Sequence, residues 1–350
     1  MVAKKNKVVI DIDRLKYPNT GMFEFCSNLY NSFKNNNQFQ FIFYKHKKTK
    51  LDCFSKFINI KVIDRLLLLV SPSYQIWHTT NQLASRIPIN AKKLVYTIHD
   101  LNFLYTQKSE KKKEKLLNKI QKNINKADYL TFISKFSYED VKNRLNIDNK
   151  KYKIIYNGVN VKQPVSNPKF IPINPFLFSL GVIDPKKNIH TILCLLSVSD
   201  YDLIISGKIT NLKYYESILS EIKKRKLQNR VFFTNIITEN DKYWYLKNCE
   251  AFIFPSLSEG FGIPPIEAMR FGKPVFLSNL TSLPEIGGNA AYYFDGFKTD
   301  KMQNIFLNGM KDYAENEKRK EEIVKWSLQF TWEKATKDYL EVYKEVLGIS

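Results

Sequence analysis

Short apolar runs along this chain alternate with longer stretches that are apolar at every third or fourth position. The run at 8–12 (VVIDI) predicts a short buried strand. After Thr20-Gly21, apolar residues fall at Phe25, Leu29 and Phe33, the spacing of one helix face. A second strand is predicted at 39–44 (FQFIFY), another ending at 75–78, and a further one at 93–98 (KLVYTI), which runs into His99-Asp100. Over 110–126, Leu116, Leu117, Ile120 and Ile124 form one stripe on an otherwise basic helix. A strand at 129–133, a helix at 138–145 and a strand at 153–156 complete this series.

The pattern then stops. Residues 163–175 (QPVSNPKFIPINP) hold four prolines in 13 positions and no periodicity, which predicts a linker. After it the alternation restarts. Strands are predicted at 176–180, 202–205, 231–234, 251–255 and 274–278. Helices are predicted at 190–198, 214–224, 242–248 and 265–271, with a long polar helix after Lys301 and a last helix at 332–347.

Strands alternating with helices imply parallel sheets built from βαβ units. The expectation is α/β architecture with two doubly wound, Rossmann-like domains, at 1–165 and 166–330, followed by a terminal segment at 331–350. Ligands of such sheets bind outside the carboxyl ends of the strands, so two facing sheets place the site in an interdomain cleft.

Charge changes this picture. Residues 1–165 carry 31 Lys/Arg against 12 Asp/Glu, and the rest of the chain carries 24 against 22. The first half is strongly basic and the second nearly neutral, which points to an anionic partner for the first: nucleic acid, phospholipid or a phosphorylated substrate. A codon bias toward Lys, Asn and Ile is the other explanation. Lysines 111, 112, 113, 115, 119, 122 and 126 line the helix at 110–126. Cys26, Cys53, Cys194 and Cys249 are scattered without a CxxC pair, so neither a metal knuckle nor a disulfide framework is expected. The start, MVAKKNKVVIDID, lacks the apolar run of a signal peptide, and the run at 65–70 (RLLLLV) is too short to span a bilayer. A cytoplasmic setting follows as an expectation.

The densest candidate chemistry lies at 258–274 (SEGFGIPPIEAMRFGKP). A loop leaving the strand at 251–255 carries Glu259, then Gly260, an exposed-looking Phe261 and Gly262. The glycines allow positive φ and close approach of backbone amides to a ligand. Pro264 and Pro265 open the next helix, and Glu267 is expected in its first turn. That helix start offers free N–H groups to an anion. A capping Glu267 and a solvated Glu259 are the plainer alternative. Asp11-Ile12-Asp13 and Asp200-Tyr201-Asp202 are DxD strings at strand ends, read as structural, so no metal is expected. Phosphate-loop, dinucleotide and G-x-S-x-G fingerprints are absent.

The stretch EGFGIPPIEAM resembles the E-x7-E motif of retaining glycosyltransferases of family 4, and FGKPVFLSNLTSLPEIGGNAAYYFD is similar to the block that follows it there. The resemblance implies the fold called GT-B, with the last helix crossing back to the first domain. It implies that Glu259 faces the donor sugar, that Gly260, Phe261 and Gly262 supply the sugar-holding loop, and that Glu267 binds the nucleotide ribose. LGVIDPKKNIH resembles the family's lysine block, in which Lys187 neutralises the donor diphosphate. The family's usual arginine is Val182 here, and Lys186 is the candidate second cation. His99 resembles the histidine near the donor sugar, with Asp100 as local support or acceptor orientation. Gly21 stands either where the family's loop approaches the diphosphate or in a simple β-to-α turn.

The function implied is metal-independent, configuration-retaining transfer of a sugar from a nucleoside-diphosphate donor to a hydroxyl, with no cofactor. GDP-mannose is the expected donor and a lipid-linked glycan of bacterial lipopolysaccharide, O-antigen or capsule the expected acceptor, since the same block is similar to bacterial surface-polysaccharide enzymes. The basic first domain is expected to lie against the anionic inner face of the cytoplasmic membrane, as a peripheral protein. The alternatives are a UDP- or dTDP-sugar donor, a soluble or protein-linked acceptor, and a basic nucleic-acid-binding protein, which leaves the paired glutamates unexplained.

Overall fold

Two series of parallel strands are present, as the alternation requires. The structure, a computed structural model, describes residues 5–18, 20–46, 49, 56–60, 74–84, 87, 91–106 and 109–349. The apolar run at 65–70 and Cys53 lie outside the described residues. The chain divides into two units, Met1–Gly158 with Thr331–Ser350, and Val159–Phe330.

In the first unit, β1 (Lys7–Asp11), β2 (Gln40–His46), β3 (Lys56–Ile60), β4 (Tyr74–Thr79), β5 (Ala91–Ile98), β6 (Tyr129–Phe132) and β7 (Lys151–Ile154) form a seven-stranded sheet in the order β3-β2-β1-β4-β5-β6-β7. Every pair runs parallel. The sheet is buried on both faces, which is why its strands read as continuous apolar runs. Val8 and Ile10 pack with Phe25, Leu29 and Phe33 of the helix Gly21–Phe33 and with Tyr339 and Tyr343 of the helix Trp332–Leu347. Val9 points the other way, to Trp77, Tyr96 and the Ile120–Ile124 stripe of the helix Glu110–Lys126. Two of that helix's lysines are engaged locally: Lys113 pairs with Glu110 at 2.8 Å, and Lys119 Nζ donates to the Leu83 carbonyl at 2.6 Å.

The second unit repeats the plan. Strands β8 (Phe176–Leu180), β9 (Asp202–Ser206), β10 (Val231–Asn235), β11 (Ala251–Phe254), β12 (Val275–Ser278) and β13 (Tyr292–Phe294) form a parallel sheet in the order β10-β9-β8-β11-β12-β13. Leu203 and Ile205 face one core and Ile204 the other. In both sheets the order reverses beside the first strand, between β1 and β4 and between β8 and β11. Loops at such a reversal diverge to opposite faces and leave a crevice for a ligand.

The predicted linker at 163–175 is part of the second unit. Val165 N–H donates to Asn240 Oδ1 at 2.8 Å and Tyr245 O–H donates to the Phe170 carbonyl at 2.6 Å, so the helix Glu239–Asn248 holds it down. The units divide at Gly158 rather than at 165. A Cβ on Gly158 would lie 2.2 Å from the Trp332 amide nitrogen, whereas Val159 N–H already bonds to the Phe330 carbonyl.

Other elements differ in kind or extent. Ile189–Ser197, predicted as an ordinary helix, is a 3₁₀ helix. Thr191, Cys194 and Ser197 each donate a side-chain hydrogen bond to the carbonyl three residues back, which favours the tighter winding. The helix predicted at 138–145 is Lys135–Lys142, because Ser134 caps it by accepting from Ser137 N–H at 3.0 Å. The strand predicted at 153–156 is Lys151–Ile154. Strands β3 and β13 and the short helix Leu283–Gly287 escape the apolar pattern. Among the described residues no helix is long and apolar enough to cross a membrane.

Candidate functional site

In the second unit, the loops leaving β8 and β11 flank the order reversal, and they carry the candidate charges. The β8 loop ends in a 3₁₀ turn, Pro185–Lys187, capped by Asp184, whose carboxylate accepts from Lys186 N–H at 3.2 Å. The Lys186 carbonyl accepts from Leu257 N–H at 2.7 Å, which ties this turn to the β11 loop. Lys187 and Glu259 form an ion pair with side chains only 13% and 16% exposed, and Lys187 Nζ also sits 4.6 Å from the centre of the Phe254 ring. Glu259 is therefore a paired and largely covered carboxylate, not a solvated one.

The β11 loop is braced from β12. Glu259 N–H donates to Thr281 Oγ1 at 3.1 Å, and Ser282 Oγ donates to the carbonyls of Glu259 and Phe261 at 3.1 and 2.7 Å. These are residues of the Thr-Ser-Leu-Pro-Glu run that follows the glutamates in sequence. Gly262 sits at φ 115° and ψ 59°, a backbone that other residues rarely adopt. Phe261 is not exposed: it is 4% accessible and meets Phe330 edge to face with centroids 5.9 Å apart. Its ring belongs to the core, and it is the backbone of Phe261 that faces the loop, with its carbonyl held by Ser282.

The helix Ile263–Arg270 begins at Gly262, which puts Glu267 at the fifth helical position, past the first turn where it was expected. Glu267 is buried and pairs with Lys242 Nζ at 2.6 Å. Lys242 lies on the helix Glu239–Asn248, and nothing in its own sequence neighbourhood marks it. The two glutamates thus stand in two separate lysine pairs, with partners from different elements.

The first unit holds the remaining candidates. His99, just beyond β5, is 5% exposed. Its Nε2–H donates to the Thr80 carbonyl at 2.9 Å, and its ring packs edge-on against Phe25 at 4.6 Å. Burial pushes its pKa down to about 4, so it is a neutral imidazole at physiological pH. Asp100 accepts from Asn102 N–H at 2.9 Å and shapes the turn after it. Gly21 is the first residue of its helix, and a Cβ there would meet nothing within 4 Å, so the backbone does not require glycine. A cavity of about 210 Å³ opens at this unit's order reversal. Its walls include Asp11, Arg14, Tyr17, Thr80, Asn81 and Ala84. Desolvation raises Asp11 to about 7, against the pull of Arg14 and Lys16. Its Oδ1 accepts from Asp13 N–H at 2.9 Å, so the first DxD string is folded on itself.

Two doubly wound parallel sheets, with paired charges at the strand ends of the second, define the GT-B class of fold. Residues 167–343 match the family described as glycosyl transferases group 1, and residues 45–163 match glycosyltransferase family 4. The chain belongs to this glycosyltransferase family. It is 30% identical over 182 residues to the serotype-specific mannosyltransferase WbdA of Escherichia coli, covering 50% of this chain and 22% of that protein. It is 28% identical over 214 residues to the O-antigen chain mannosyltransferase RfbU of Salmonella typhimurium, covering 61% of this chain and 59% of that one. This chain thus spans only 22% of the length of the first of these relatives. Among solved structures, Anabaena HepE in complex with UDP-glucose superposes with a TM-score of 0.75 at 16% identity, over 97% of this chain and 99% of that one.

Proposed function

We propose that the protein transfers a sugar, with retention of anomeric configuration, from a nucleoside-diphosphate donor to an acceptor hydroxyl. The observation that carries this reading is the Lys187–Glu259 pair, set where the order of the second sheet reverses and backed by the Gly262 turn. Lys187 is the fixed cation for the departing diphosphate, where a preorganised charge counts most. Glu259 and the loop amides hold the sugar, and Glu267 takes the ribose. The bond from sugar C1 to the diphosphate oxygen breaks, and the bond from C1 to the acceptor oxygen forms on the same face. The acceptor proton passes to the leaving diphosphate oxygen. No side-chain base is needed in that step, and His99, a neutral ring already bonded to Thr80, serves as a sugar contact. We assign no metal and no cofactor to the reaction.

GDP-mannose is the preferred donor, because relatives that carry a mannosyltransferase name match half or more of this chain. HepE, crystallised with UDP-glucose, keeps a UDP-sugar as the second reading. The acceptor is assigned to the first unit, where the cavity beside Asp11 and Thr80 offers hydroxyl partners. A lipid-linked glycan is the preferred acceptor. Exposed Lys111, Lys112, Lys115, Lys122 and Lys126 are the residues that would meet anionic lipid.

A thermal-shift series tests the donor site. The protein is melted with GDP-, UDP-, dTDP- and ADP-sugars in EDTA, with Glu267→Ala alongside. A ligand bound to the native state raises the melting temperature by mass action. A rise with one nucleotide class, lost in the variant, is expected. No rise with any donor at millimolar concentration overturns the reading.

A further inference from the structure

The Lys242–Glu267 pair has a feature the donor reading does not use. Glu267 is 4% exposed, and a carboxylate that deep needs a partner of opposite charge. Lys242 supplies it from another helix, 25 residues earlier in the chain, with Nζ 2.6 Å from Oε1. The lysine is itself fixed. Its helix is locked at its start by a capping box between Thr238 and Asp241. Its ammonium lies 4.5 Å from the centre of the Tyr243 ring, and Tyr243 O–H is anchored to the Asn160 carbonyl at 2.9 Å. One carboxylate oxygen is therefore set by a cation whose own position is set twice over.

Resting on the reading of Glu267 as the ribose ligand, we propose that Lys242 is a positioning residue of the donor site: it holds the Glu267 carboxylate in one orientation toward the ribose diol and so sets the preference for ribonucleotides over deoxyribonucleotides. A purely structural lysine would hold the two helices together without touching that preference. The contrast with Lys187 is instructive. Lys187 sits on a strand-end loop beside the carboxylate assigned to the sugar, and it is read as acting on the reacting diphosphate. Lys242 acts only through Glu267, and its loss affects donor binding rather than the chemical step.

Calorimetric titration with GDP and UDP, each beside its 2′-deoxy and 3′-deoxy counterparts, tests this on wild type, Lys242→Met, Lys242→Arg and Glu267→Ala. The Met variant is expected to lose about tenfold in affinity for the ribonucleotide, the usual scale for a charged hydrogen bond left unmade. Its preference for ribose over deoxyribose is expected to fall to within about twofold. The Arg variant restores both. Adding Lys242→Met to Glu267→Ala costs nothing further, because the two act as one unit. At saturating donor, kcat of the Met variant stays within about threefold of wild type. Should the Met variant not fold, Lys242→Gln is read by the same preference. A folded Met or Gln variant that keeps the full ribose preference overturns the proposal. Wild-type protein that binds neither nucleotide, or that binds one equally well after Glu267→Ala, overturns the donor site itself as well.

Discussion

The two order reversals of this molecule are built alike and charged differently. Beside β8 and β11 the polar groups are ion pairs, Lys187–Glu259 and Lys242–Glu267, held in a partly or wholly buried setting. Beside β1 and β4 one pair, Lys16–Asp13, stands next to deeply buried groups whose charged forms burial disfavours: His78 and His99 are lowered to about 3 and 4, and Asp11 is raised to about 7. The net charges run the other way, since residues 1–165 carry 31 basic against 12 acidic residues and the remainder 24 against 22. Net charge therefore describes the surface of each unit and not its candidate site. A fixed pair of opposite charges suits a ligand with a charged leaving group. A cavity whose walls mix Thr80, Asn81 and Tyr17 with Asp11 and Arg14 suits hydroxyls.

Removing the charge from the second unit is expected to have the largest effect. Lys187→Met takes away the cation proposed for the leaving diphosphate, and kcat is expected to fall by about 10²–10³-fold, the usual loss for one preorganised stabilising group. Steady-state transfer of radiolabelled sugar measures it. A fall below tenfold would remove Lys187 from the mechanism.

Glu259→Gln separates the two halves of that pair. Transfer is expected to fall by about 10²-fold because the sugar loses its anionic partner. Binding of the bare nucleoside diphosphate is expected to tighten by about threefold, because Lys187 no longer has a carboxylate to satisfy. Calorimetry with GDP and UDP reads the second effect. Weaker binding would mean that Glu259 supports the diphosphate site and does not compete with it.

In the first unit the matching experiment fills space instead of removing charge. Ala84 lines the cavity and is buried. Ala84→Phe is expected to raise the acceptor KM by about tenfold and to leave nucleotide binding unchanged, since overpacking acts where the volume is added. An unchanged acceptor KM in a folded variant would move the acceptor elsewhere.

How much of this was legible in the sequence follows from what each feature depends on. Strand and helix alternation is a local property, so the helices Glu110–Lys126 and Trp332–Leu347 were readable to the residue. The 3₁₀ winding of Ile189–Ser197 was not, because it depends on which carbonyls the Thr, Cys and Ser side chains choose. Strands β3 and β13 are short and carry Lys56 or follow directly on a turn, so their pattern is too brief to stand out. The Glu259–Glu267 stretch was readable because its glycines, prolines and carboxylates are contiguous. Lys242 was not, since its partner lies on a different helix and only the packing brings them together. Phe261 looked exposed because it lies between glycines, yet its ring turns inward to Phe330.

The smallest expected effect is on stability, and it separates the units by acid. His78 is bonded at both ring nitrogens, to Tyr343 O–H and Thr97 Oγ1 at 2.7 Å each, and burial holds its pKa near 3. A group lowered in the folded state contributes stability that is complete above its unfolded value of 6.5 and is lost as pH falls toward the folded value. His99 acts in the same direction, down to about 4. Asp11 opposes them: raised from 3.8 to about 7, it contributes stability below 3.8 that is lost as pH rises through 7. Between pH 4 and 6.5 the unfolded chain thus gains two histidine protons against one held by folded Asp11, and the first unit should weaken by about 1 kcal/mol per pH unit on acidification. The second unit has His190 alone, whose pKa burial against Tyr214 also lowers, so acid acts there through one histidine rather than two. Hydrogen exchange at pH 5 and pH 7, corrected for intrinsic rates, resolves the two. Peptides over β4 and the Trp332–Leu347 helix should lose protection in acid faster than those over β11, and His78→Gln should flatten the difference. Equal loss in both units, or a difference untouched by His78→Gln, would show that acid acts on the surface charges and not on the neutral groups buried at the first reversal.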